Sequence, residues 1–192
     1  MTDRAISTVQ ARSPVGEQFV FGYGSLTRGF RGRPARLEGH RRMWGVAMDN
    51  RVTVPGYKLY RRRDDGSRPA VYVAFLDIAP DATAVTGGFL FPADDAVLRA
   101  LDARERNYDR VDVSAAVPDA RGTVWAYRGS AAGRERLCLG LQGASVVVDL
   151  NYLAAVRASF AALGIDDDLA AGSLPVMDLE RIELPARAAG RS

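Results

Sequence analysis

Segments with strand character fill most of the chain ahead of the longer apolar helices near its end, and no strand–helix–strand unit recurs. A doubly wound parallel sheet needs that alternation, so the order favours an α+β fold. The first strand is expected at residues 18–23 (QFVFGY), apolar enough to be buried on both faces. Further strands are expected at 37–48, 58–61, 70–78 and 85–91, with Pro55-Gly56 and Ala79-Pro80-Asp81 as turns. Pro92-Ala93-Asp94-Asp95 opens a helix reaching about Glu105, with acids in its first turn where the helix dipole favours them. Strands follow at 108–117 and 122–128, then helices at 134–142, 150–163 and, shorter, 167–171. Residues 1–17 and 186–192 are expected to be a mobile lead-in and tail around a single domain, 18–185.

The net charge of +3 and pI of about 9.3 invite a nucleic-acid reading, but the distribution of charge argues against it. Lys58 is the only lysine, and the arginines alternate with acids, as in Arg104-Glu105-Arg106 and Arg134-Glu135-Arg136. Even the run Arg61-Arg62-Arg63 is followed at once by Asp64-Asp65. This is a solvated surface, and no nucleic-acid partner is expected. No apolar run approaches the roughly 18 residues of a membrane span, so no membrane partner is expected. The start has no apolar stretch of the kind a secretory signal carries. The single Cys138 suits a reducing compartment, and a cytoplasmic location is expected.

Most catalytic constellations lack their parts. One histidine, His40, and one cysteine are too few for a zinc site, so no metal is expected. There is no Gly-x-Ser-x-Gly elbow and no Walker loop, and Gly22-x-Gly24 lacks the third glycine of a dinucleotide fingerprint. Asp166-Asp167-Asp168 does not match a calcium loop and is expected to cap a helix. His40 and Cys138 are assigned to packing or surface.

Two features remain. A buried strand that breaks into Gly-Tyr-Gly-Ser leaves backbone N–H groups without ladder partners, able to converge on a carboxylate or an oxyanion. The same tetrapeptide also makes a plain tight turn. Glu105 follows Leu101 by four and Leu98 by seven, within the apolar arc that includes Val97. An inward carboxylate acquires a raised pKa suited to proton transfer. The competing reading is an end-of-helix Glu paired with Arg104, Arg106 or Arg110 and fraying into solvent.

The ordered set VFGYGSL at 20–26, VTGGFLF at 85–91 and LDARERNYDRV at 101–111 resembles the γ-glutamylcyclotransferase family. The FGYGSL form is closest to its ChaC-type branch, which the chain resembles again at Asn151-Tyr152-Leu153 and Leu163-Gly164-Ile165-Asp166. The likeness spans about residues 18–170. It implies a mixed α/β fold with a small closed barrel flanked by helices, and Glu105 as the catalytic acid–base. It also implies a substrate-binding loop of Gly22, Tyr23, Gly24, Ser25, Leu26 and Thr27. Tyr108 either orients Glu105 or packs. The implied reaction cyclises a small-molecule γ-glutamyl amide to 5-oxoproline and releases an amine, with no metal or organic cofactor. Glutathione, releasing Cys-Gly, is the lead substrate; other γ-glutamyl amines or amino acids are alternatives. A non-catalytic binding module on the same fold is the rival of another class. The chain departs from the family at Arg106, where Gly is common, and at Val146-Val147-Val148-Asp149, where a Gly-containing turn is common.

Overall fold

Two long strands frame the molecule. In the computed structural model, which describes residues 17–27, 31–169 and 174–186, β2 (Arg33–Asp49) pairs antiparallel with β4 (Tyr72–Pro92) along almost its whole length. Register shifts between Glu38 and His40 and between Trp44 and Val46 interrupt the ladder, and such bulges bend and twist a strand. One strand can therefore serve two neighbourhoods. Phe89, Leu90, Phe91 and Pro92 at the end of β4 pair with β1 (Gln18–Gly22), while Tyr72 and Val73 at its start pair with β7 (Val146–Asp149). β1 also pairs in parallel with β6 (Thr123–Gly129), and β6 pairs with β5 (Tyr108–Asp112). With the short β8 (Val176–Met177) beside β7, the sheet has seven strands. β3 (Lys58–Arg62) and β9 (Leu179–Glu183) form a separate two-stranded ribbon. Three helices, α1 (Asp95–Arg104), α2 (Ala131–Gln142) and α3 (Leu150–Leu163), complete an α+β fold.

A buried carboxylate holds the curl of the sheet. Asp77 lies in the middle of β4 with its side chain 2% exposed, and it accepts hydrogen bonds from the Gly129 amide of β6 (2.6 Å) and from Arg134 Nε of α2 (3.0 Å). Full pairing of this kind is what makes a buried charge tolerable. It pins the end of β6 to the middle of β4. Beneath lies an apolar core that includes Phe21, Leu37, Leu76, Ile78, Val124 and Phe160. A second cluster, with Val20, Phe91, Leu98, Leu101 and Tyr127, seats α1.

The sequence expectations need four corrections. The strands expected at 70–78 and 85–91 are one element: β4 continues through Ala79, Pro80 and Asp81 instead of turning. Pro80 sits opposite His40, next to a register shift, where the missing proline N–H breaks no regular ladder. The strand expected at 108–117 ends at Asp112, whose Oδ1 accepts from the Ser114 amide (2.8 Å) and starts a 3-10 turn. Asp167, Asp168 and Leu169 are not helical, while residues 170–171 of that expected helix lie outside the described residues. Among the described residues Asp168 caps no helix; it pairs with the buried Arg42. Val146–Asp149, where the chain departs from the family pattern, is a fully buried strand whose Asp149 caps α3 by accepting from the amides of Asn151 (3.2 Å) and Tyr152 (3.1 Å). The expected lead-in at 1–16 and the tail at 187–192 also fall outside the described residues.

Candidate active site

Glu105 ends α1. Its amide still donates to Leu101 O (2.8 Å), but its backbone leaves the helical region (φ −89°, ψ 55°). The side chain turns inward as the helix stops: it is 13% exposed, against 45% for Arg104. The reading of a Glu fraying into solvent therefore fails. Arg104 Nε lies 3.1 Å from Glu105 Oε1, at ion-pair distance but not aligned as a hydrogen bond. Shielded from solvent, Oε1 has no hydrogen-bond donor among the described residues. Burial raises the pKa of this carboxyl, and the charges of Arg104, Lys58 and Arg181 oppose the rise without cancelling it. The other two candidate partners are engaged elsewhere. Arg106 donates to Gly56 O (3.2 Å), and Arg110 pairs with Asp102 (3.3 Å).

The loop after β1 is shaped by close packing. A Cβ on Gly22 would stand 2.9 Å from the carbonyl carbon of Leu26, so only glycine lets the chain double back there. A 3-10 turn follows, Ser25–Thr27, with the Thr27 amide (3.1 Å) and hydroxyl (2.7 Å) both donating to Gly24 O. That turn leaves the amides of Gly24, Ser25 and Leu26 outside the turn's own hydrogen bonds. Arg42, its side chain fully buried, braces the loop from β2: Nε donates to Tyr23 O (2.8 Å), and the guanidinium lies 4.2 Å over the Phe160 ring.

Two hollows meet at Glu105. The larger, of about 260 Å³, is walled by α1, the β3–β9 ribbon and Phe75. The smaller, about 20 Å³, is a recess lined by Tyr23, Gly24, Ser25 and Leu26. Ser25, Glu105, Tyr108 and Tyr152 line both. Of the loop residues named from sequence, Gly22 and Thr27 line neither hollow and serve to shape the turn. The Tyr108 amide donates to the Glu105 carbonyl (2.9 Å), but its hydroxyl donates to Leu76 O (2.7 Å) and not to the Glu105 carboxylate. The Tyr23 hydroxyl donates to Tyr127 O, and the Tyr152 hydroxyl accepts from the Leu76 amide (3.4 Å). Burial raises the pKa of all three phenols, which keeps them neutral. The site thus combines one buried carboxylate, a tight turn whose first amides lie outside its own hydrogen bonds and a wall of hydroxyls that burial keeps neutral.

Sequence reasoning missed the far wall. Lys58 and Tyr60 on β3 and Arg181 and Glu183 on β9 reach the same cavity, because Lys58 stands opposite Glu183 in the ribbon. Nothing in the local pattern announced that a strand near the C-terminus would pair with β3. Among the described residues no helix is long and apolar enough to cross a membrane.

Residues 20–140 match the model of the family described as gamma-glutamyl cyclotransferase, AIG2-like. The chain is similar to several solved structures. One, a protein of Arabidopsis thaliana, is 19% identical over 62% of this chain and 73% of that one, with a TM-score of 0.38. A gamma-glutamyl cyclotransferase is 13% identical over 82% and 93%, with a TM-score of 0.39. A second Arabidopsis thaliana protein is 19% identical over 88% and 97%, with a TM-score of 0.37. No curated protein matches the chain. The family match covers more than half of the sequence and contains both the strand-end loop and Glu105, so the chain belongs to the AIG2-like gamma-glutamyl cyclotransferase family.

Proposed function

We propose that this protein cyclises a γ-glutamyl amide to 5-oxoproline and releases the amine, with Glu105 moving the proton. The observation that carries the reading is a carboxylate buried at the junction of cavity and recess, with an oxygen that no donor among the described residues satisfies. An unsatisfied buried carboxylate costs free energy, and a substrate ammonium would relieve that cost.

The reaction balances within the substrate. The α-ammonium first gives one proton to solvent; its nitrogen then bonds to the γ-carbonyl carbon, the amide C–N bond breaks, and one proton passes from the attacking nitrogen to the departing one. A single carboxylate between the two nitrogens can accept that proton and return it. Holding the glutamyl chain curled supplies much of the rest, since pre-oriented intramolecular attack recovers roughly 7–11 kcal/mol. In this reading the γ-carbonyl oxygen enters the recess, where the amides of Gly24, Ser25 and Leu26 stabilise its developing charge. The recess accommodates an oxygen, not a ring, so the body of the substrate occupies the larger cavity. That cavity is slightly below the roughly 300 Å³ at which small-ligand pockets usually begin, which suits a compact γ-glutamyl compound. Glutathione, as in ChaC-type relatives, remains the lead candidate.

The test is a panel of glutathione, γ-glutamyl dipeptides and γ-glutamylamines incubated with the protein, with 5-oxoproline measured by mass spectrometry. Equimolar 5-oxoproline and free amine from at least one compound is the expected result. Tight binding of 5-oxoproline with turnover of none would identify a binding module instead.

A further inference from the structure

Five charged side chains line the large cavity, and four of them are matched. Arg104 stands beside Glu105, and Arg181 pairs with Glu183 on the same strand. Lys58 is left over. Among the described residues its Nζ has no hydrogen bond and no ion pair, only the faces of Phe75 (4.3 Å), Tyr57 (5.4 Å) and Tyr60 (5.9 Å). Its accessible area is intermediate because the cavity reaches it, yet protein crowds it closely enough to disfavour its charge. A charged lysine held against aromatic rings and facing a cavity is one charge short of neutrality.

We propose that Lys58 binds a carboxylate on the amine half of the substrate, so that the site prefers γ-glutamyl amino acids and peptides to γ-glutamyl amides of uncharged amines. This rests on the cyclotransferase reading and deepens it. If the reacting carbonyl sits against the loop and Glu105 stands between the two nitrogens, whatever lies beyond Glu105 towards the β3–β9 ribbon is the departing amine. Lys58 is on that ribbon. The γ-glutamyl head brings an ammonium and a carboxylate of its own and leaves the surplus positive charge of the cavity unchanged. A second carboxylate cancels it.

γ-Glutamylalanine and γ-glutamylethylamide differ only by that carboxylate and make the matched pair. For the parent protein, kcat/KM for 5-oxoproline release should favour the alanine compound by about ten- to a hundredfold, the range of a charge-assisted hydrogen bond. Lys58→Met should collapse the ratio towards one, and Lys58→Arg should keep most of it. Equal turnover of the two compounds by the parent overturns the proposal, and needs no variant that might misfold. So does a Lys58→Met protein that loses both activities by the same factor, which would put Lys58 on the glutamyl carboxylate or in a purely structural role. Failure of both compounds and of every other γ-glutamyl compound in the panel to yield 5-oxoproline would instead remove the cyclotransferase reading, and this inference with it.

Discussion

Glu105 at the end of α1 and Ser25 in the turn after β1, distant in sequence, each line both the cavity and the recess. The point where those hollows join is therefore bounded by an acid on one side and by the turn after β1 on the other. The chemistry proposed needs both.

The loop should act through its main chain. A Cβ on Gly24 would stand 3.4 Å from Leu76 Cδ1 and from the Tyr152 hydroxyl oxygen, so the larger side chain of Gly24→Val intrudes on the recess. Losing an oxyanion donor costs about 10²- to 10³-fold in kcat, and Gly24→Val should approach that loss. Ser25→Ala keeps the amide and should lose less than about tenfold. Steady-state kinetics on the best substrate decides it, and the reverse ranking would give the role to the serine hydroxyl.

The pH profile should carry two marks. Proton transfer needs ionised Glu105, whose pKa burial raises, so kcat/KM should climb with pH through a limb above the usual glutamate range. Burial, followed by the nearby Arg181, pushes Lys58 down to about 8. For a carboxylate-bearing substrate KM should rise as pH passes about 8, whereas γ-glutamylethylamide should lack that limb. Arg104, Arg181, Glu183 and the phenols Tyr57, Tyr60, Tyr108 and Tyr152, whose pKa values burial raises, face the same space. A KM flat from pH 7 to 9.5 for both substrates would contradict the assignment.

Stability gives Glu105 a second signature. Its folded pKa exceeds its unfolded one, so the folded state holds this proton more tightly, and its contribution to stability falls as pH rises between the two values. Glu105→Gln should therefore be at least as stable as the parent at neutral pH, with Tm higher by on the order of a few degrees. The gain should vanish below the unfolded glutamate range. Thermal melts across pH check this.

Asp77 should behave oppositely. Asp77→Ala strips the Gly129 amide and Arg134 of their buried acceptor, which costs roughly 3–5 kcal/mol. For a chain of this length that is on the order of a 10 °C fall in Tm. A fall below about 2 °C in a calorimetric scan would mean that the curl of the sheet is held elsewhere.

How legible all this was in the sequence depended on locality. Glu105 could be found because the spacing Leu98, Leu101, Glu105 fixes a helical face within a few residues. The turn at Gly22-Tyr23-Gly24-Ser25 could be found because glycine marks a backbone need. Lys58 could not, since its place in the cavity follows from β3 pairing with β9 at Glu183, a long-range partnership that no periodicity encodes. Nor could Arg42, one arginine among several in a polar-looking stretch, whose buried side chain pairs with Asp168 far along the chain. The continuous β4 was misread as two strands because Pro80 is ordinarily a breaker, and only the register shift in β2 makes room for it. Arg106, a departure from the family pattern, is not among the residues lining the cavity and fastens the loop at Gly56 instead.

The most direct measurement is 5-oxoproline release by purified Glu105→Gln beside the parent, on whichever γ-glutamyl compound the parent turns over fastest. Glutamine keeps the size and loses the proton acceptor, so the rate should fall by about 10²- to 10⁴-fold while the fold and its melting transition persist. A Glu105→Gln protein that releases 5-oxoproline as fast as the parent would show that the proton travels by another route.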